Sequence, residues 1–139
     1  MPGELASCLD LVTLPTAPFW ARHQTRIALQ SWQVMADSID TAELLVSELI
    51  TNAVKFASSD QPEYTGLDST VPISLVLRYM TGQLIIEVAD PDPNPPVLSD
   101  PGSDAESGRG LMLIQALSKE WGHHLPPSGG KVVYCVLAA

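Results

Sequence analysis

At 139 residues the chain has room for one ordinary domain, and a chain of that size buries a sufficient core without disulfide or metal staples. Hydrophobic residues make up 45% and charged residues 17%, a globular composition. With 7 Lys and Arg against 16 Asp and Glu the formal net charge is -9, which argues against direct nucleic-acid binding and against an anionic membrane face, since both want a basic patch.

The opening residues MPGELASCLD carry acids and no base, and no apolar run approaches the ~20 residues of a membrane span. They predict a soluble, cytoplasmic, single-domain protein over 1–139. Cys8 and Cys135 lie at opposite ends without metal-ligand spacing and read as free thiols. Residues 11–15 (LVTLP) suggest a short strand, and 18–34 a helix with Phe19, Ile27 and Val34 among its apolar positions. Asp40 followed by Glu43 has capping-box spacing ahead of a second helix, ELLVSELITNAVKFA. A polar loop over 58–70 leads to two strands, VPISLVLRYM and QLIIEVAD, joined at Thr81-Gly82. A proline-rich, acidic stretch follows, then a helix from near Gly110 to Glu120. A last strand pair, WGHHLPP and KVVYCVLAA, turns at Ser128-Gly129-Gly130. The order β-α-α-β-β-loop-α-β-β predicts an α/β two-layer sandwich, with a mixed, mostly antiparallel sheet covered by about three helices.

Three stretches carry chemistry. On the second helix Ser47, Glu48, Thr51, Asn52 and Lys55 share one stripe of an otherwise apolar cylinder. Glu48 and Asn52, at i and i+4, point the same way. A carboxylate can take a proton and an amide oxygen can join the shell of a hard cation; read alone, the stripe is equally a solvated face. Asp90 ends the strand LIIEVAD, where a fixed acceptor can receive an exocyclic amine, or simply close an Asx turn ahead of Pro91. Residues 91–108 read as a linker or a lid, their place between two ordered elements favouring the lid, and Glu87 to Glu106 holds six acids and no base. Gly108 and Gly110 bracket Arg109 before an apolar helix, a pattern that suits an anion or a plain tight turn. His123-His124 alternate across a strand and do not share a metal. Trp20, Trp32 and Trp121 read as core or interface aromatics.

Taken together, ELLVSELITNAVKFA, IIEVADPDP, ESGRGLMLIQALSKEWG and GGKVVY resemble the GHKL (Bergerat-fold) ATP-binding domain. More narrowly they look like the anti-sigma-factor serine kinases of actinobacterial type, and the likeness runs from about residue 11 to 137. That resemblance implies Glu48 as the general base, Asn52 as the Mg²⁺ ligand and Asp90 as the acceptor for the adenine amino group. Asn52, Lys55, Gly108, Arg109, Gly110 and Leu111 would complete the ATP site, under a lid at 91–107. It implies a protein serine/threonine kinase with a STAS-type anti-anti-sigma partner, which also sequesters a sigma factor and can form a homodimer. Phosphoryl transfer needs a cation, a placed base and phosphate donors, and the three stretches supply one each.

Two departures stand out. The family's DxGxG is replaced by Asp90-Pro91-Asp92-Pro93-Asn94. The threonine expected after the glycine turn, whose hydroxyl supports the adenine-binding Asp, is missing from Gly129-Gly130-Lys131-Val132. Val132 stands in its place, and Lys131 reads as a turn lysine or as a substitute for the lost support. The alternative function is a non-catalytic GHKL-fold module that controls its partner by sequestration alone.

Overall fold

The computed structural model describes the backbone of residues 3–59, 72–94 and 112–139, and the side chains of all of these except 55–59. Its elements are β1 (Leu5–Val12), α1 (Ala17–Ser31), α2 (Ala36–Ser59), β2 (Pro72–Met80) and β3 (Gln83–Asp90). Helical residues 112–117 form α3, and β4 (Glu120–His124) and β5 (Lys131–Ala138) follow. The five strands make one sheet in the order β1-β2-β3-β5-β4. Every neighbouring pair is antiparallel, so the sheet is not mixed.

Strand alternation builds the two layers. Ile73, Leu75 and Leu77 of β2, Leu84, Ile86 and Val88 of β3, and Val133, Cys135 and Leu137 of β5 are buried on one face, while their neighbours are half-exposed. Against that face pack Ala42, Leu45, Val46, Leu49, Ile50 and Ala53 of α2, with Ala21, Ala28 and Leu29 of α1. Each fully buried Leu or Ile contributes about 1.5–3 kcal/mol. β2 and β3 meet in the expected hairpin, with Thr81 (φ 43) and Gly82 (φ 77) both left-handed, the geometry that matches strand twist.

Several element ends differ from expectation. The first strand occupies 5–12 rather than 11–15, because Leu9 and Leu11 pair with Leu75 and Ile73 across the sheet. α1 stops at Ser31, short of Val34. Gln33 is left-handed (φ 60), its N–H reaches Gln30 O at 3.0 Å, and the Val34 N–H reaches Leu29 O at 3.0 Å. This is a Schellman ending, with Val34 buried. The buried side of α1 is Ala17, Ala21, Thr25, Ala28 and Leu29, whereas Phe19, Trp20 and Ile27 are exposed. Of the tryptophans, Trp32 stacks on Tyr79 with ring centroids 6.4 Å apart, and Trp121 packs against the core.

Asp40 does not cap α2. The helix begins four residues earlier, since Ile39 is buried and extends the apolar repeat backward. Asp40 and Glu43 instead both pair with Arg26 of α1, Asp40 at 3.0 Å. The helix expected to reach Glu120 ends at 117, and Glu120 and Trp121 pair with Val136 and Cys135 in β4. Neither cysteine forms a disulfide; Cys8 is exposed and Cys135 buried. Among the described residues no helix is long and apolar enough to cross a membrane.

Candidate functional site

The polar stripe of α2 divides into two parts. Ser47 belongs to helix packing, since its Oγ accepts a hydrogen bond from Arg22 Nη1 of α1 at 2.9 Å. Glu48 and Asn52, one turn apart, are half-buried, and Thr51 is exposed. Among the described residues neither the Glu48 carboxylate nor the Asn52 amide has a hydrogen-bonding or ion-pairing partner. The Lys55 side chain lies outside the described residues. α2 packs on β3 and β5, so the helix carrying Glu48 and Asn52 covers the two strands that carry Asp90 and Lys131.

Asp90 and Lys131 are register partners, the last residue of β3 and the first of β5. Both point to the helix-covered face. Asp90 continues the stripe Leu84, Ile86, Val88, and Lys131 begins the stripe Val133, Cys135, Leu137. The side chains retain 2% and 7% exposure, and Lys131 Nζ lies 3.2 Å from Asp90 Oδ1. Nζ also donates to Asp92 O at 3.1 Å. Asp90 Oδ1 further accepts the Asp92 N–H at 2.8 Å, which is the Asx turn ahead of Pro91. Asp92 repeats the device, accepting from Asn94 N at 3.0 Å and Asn94 Nδ2 at 2.9 Å. Burial pushes the Asp90 carboxyl above the ordinary carboxylate range, while the Lys131 charge and the Asp92 N–H pull the other way.

Lys131 is therefore not a turn lysine, and Val132 is not the residue that meets Asp90. Strand alternation turns Val132 to the opposite face, where it pairs with Ala89 and His124. The phase of KVVYCVL, with Val133, Cys135 and Leu137 as its apolar set, already carried this placement. Gly130 makes the contact possible. It has φ +72, and a Cβ there would lie 2.2 Å from Asp90 O.

Gly108, Arg109, Gly110 and Leu111, and residues 95–107 of the expected lid, lie outside the described residues. Residues 91–94 are described, and their backbone follows the Asp90–Asp92–Asn94 turns. Among the described residues no group of three or more His, Cys, Asp or Glu is placed to hold a metal.

A model of the histidine kinase-like ATPase domain matches residues 15–136. The chain belongs to that family. No curated protein matches it. Among solved structures, it is similar to the RsbU and RsbW domains of Rv1364c from Mycobacterium tuberculosis, with a TM-score of 0.63 and 17% identity. That match covers 96% of this chain and 32% of the other, so this histidine kinase-like ATPase domain spans about a third of the neighbour's length. At that identity the likeness shows the fold: an antiparallel five-stranded sheet with helices on one face.

Proposed function

We propose that this domain is an ATP-dependent protein serine kinase of the anti-sigma-factor type. It acts in the cytoplasm, phosphorylates a serine of a STAS-type anti-anti-sigma partner, and sequesters a sigma factor, as a homodimer where the partner requires one. The observation that carries the reading is the pair Glu48 and Asn52. They are half-buried, one turn apart, without partners among the described residues, on the helix that covers Asp90's strand. The resemblance of SELITNA and SGRGL to anti-sigma-factor kinases and the fold likeness to a chain containing an RsbW domain support it.

In this reading the Glu48 carboxylate accepts the proton of the partner's serine hydroxyl as that oxygen bonds to the γ-phosphorus and ADP leaves. The Asn52 amide oxygen is a hard ligand of the type Mg²⁺ takes. Mg²⁺ is commonly held by one or two side chains together with phosphates and water, so the residues present fit it. The cation, when bound, offsets charge on the phosphate oxygens. Asp90 accepts from the adenine amino group, and Lys55, Gly108, Arg109, Gly110 and Leu111 hold the triphosphate. The test is phosphate transfer from Mg-ATP to the STAS protein. Glu48→Ala should abolish it and Asn52→Ala should weaken Mg-ATP binding; transfer by Glu48→Ala at the wild-type rate sinks the assignment.

One observation favours a second reading, a nucleotide-independent sequestering module: Asp90 already has a buried cationic partner. Calorimetry with Mg-ATP separates the two. Saturable heat lost in Asp90→Ala supports the kinase, and a sigma complex formed without any nucleotide heat supports the module.

A further inference from the structure

Asp90 and Lys131 sit where the hydrophobic stripes of β3 and β5 end, at positions where a Val or Leu would continue the core. A buried ion pair there is no gain in stability, because apolar replacements of such pairs are often neutral or stabilising. Its geometry is one-sided. Asp90 Oδ1 takes both the Lys131 ammonium, at 3.2 Å, and the Asp92 N–H, at 2.8 Å, while Oδ2 has no partner among the described residues. Lys131 Nζ also donates to Asp92 O at 3.1 Å, so the turn after β3 holds the cation as well as the carboxylate does.

Among the described residues of the elements packed there, nothing else favours a charge on Asp90. The buried residues of β2 are Ile73, Leu75 and Leu77, and α3 carries no charged residue. The turn brings Asp92, and α2, which packs on both strands, carries Glu48; both are acids. Arg109 and the Lys55 side chain lie outside the described residues. Burial raises the Asp90 carboxyl, and the Lys131 charge is the largest influence pulling the other way. The balance matters to a ligand, because an ionised carboxylate only accepts, whereas a protonated one donates and accepts less strongly.

We propose that Lys131 is a positioning residue for the base anchor: its ammonium pins Asp90 Oδ1 and keeps the carboxylate in its acceptor-only form, leaving Oδ2 to take the amine of a 6-aminopurine. Lys131 needs no contact with the nucleotide to do this. The inference rests on the reading of Asp90 as the base anchor, and it gives the buried cation a part in binding the base.

Calorimetry of the intact chain with Mg-ADP at about pH 8 and about pH 6 tests it. The dissociation constant of Lys131→Met, divided by that of the wild type, should rise about tenfold as pH falls, because a buried carboxyl without its cation protonates sooner. Division by the wild-type value cancels the titration of the phosphates and of Glu48. Lys131→Arg should hold the ratio constant. Lys131→Gln, which keeps a neutral donor, should not, and it carries the same expectation if Lys131→Met fails to fold. A ratio that stays constant with pH in the Met and Gln variants makes Lys131 merely structural and overturns the proposal, while the adenine site stands. In the wild-type chain the carbon-13 shift of the Asp90 carboxyl should be that of a carboxylate at the lower pH; a carboxylic acid there overturns the proposal even if neither variant folds. If the wild type binds no Mg-ADP at either pH, the nucleotide reading falls and this inference with it.

Discussion

Gly130→Ala puts a Cβ where the chain has no room. The added carbon would lie 2.2 Å from Asp90 O and 2.9 Å from Pro91 Cα, both backbone, so no side-chain rotation relieves the overlap. Two costs add. A left-handed L-residue costs about 1–2 kcal/mol, and forcing atoms into a filled space costs about 1–3 kcal/mol more. The total is ~2–5 kcal/mol. Gly129→Ala is the internal control, because Gly129 also has positive φ (+99) but nothing lies within 4 Å of its Cβ position. It should lose only the first ~1–2 kcal/mol. For a domain of this size 1 kcal/mol moves the melting temperature by about 4 °C. Circular-dichroism melts should therefore drop by roughly 8–20 °C for Gly130→Ala and roughly 4–8 °C for Gly129→Ala. Equal drops would mean that β3 and β5 do not approach as closely as the Asp90–Gly130 contact requires, and the account of Lys131 burial would fail with it.

Lys131→Met keeps the buried stem and removes the charge, which breaks a buried pair and should cost about 3–5 kcal/mol at neutral pH. Burial already raises the Asp90 carboxyl and Lys131 holds it down, so the substitution lifts it further. A folded-state value above the unfolded one makes the folded chain the better proton binder, so Asp90 costs most stability above its folded-state value. That cost is relieved as pH falls from there toward the ordinary 3.8. Urea midpoints should show Lys131→Met recovering part of its deficit on acidification; a deficit independent of pH would refute this. Desolvation pushes the Cys135 thiol to about 11 and Cys8 is exposed. A thiol titrant at pH 8 should count one fast cysteine in the folded protein and two in urea, and Cys8→Ser should abolish the fast one.

The strands and the long helix were legible because their patterns are strong. QLIIEVAD alternates with period two, ELLVSELITNAV repeats near 3.6, and Thr81-Gly82 is hairpin chemistry. Element ends were less legible. The Asp40–Glu43 spacing imitates a capping box, but Ile39 is worth more buried than outside the helix, and Arg26, distant in sequence, claims both acids. Phe19 and Ile27 suggested a buried face by residue type, whereas the buried positions of α1 are Ala17, Ala21, Thr25, Ala28 and Leu29 instead. In the site, Asp90 at a strand end and Glu48 with Asn52 on one stripe could be read directly. Lys131 was obscured by the two glycines before it, which mark a turn, although its phase with Val133 and Cys135 marks it as inward-facing.

The strand order has a kinetic meaning. β2 and β3 form a local hairpin, but β5 enters the sheet between β3 and β4, and the Asp90–Lys131 bond spans 41 residues of sequence. Contacts that far apart close only after the chain loses the entropy of a long loop, so they form late. Until β5 docks, Asp90 stands at the end of a hairpin edge with its carboxylate in water. The buried Asp90–Lys131 corner is thus assembled by the same slow step that completes the sheet, and folding intermediates with an intact β2–β3 hairpin lack it.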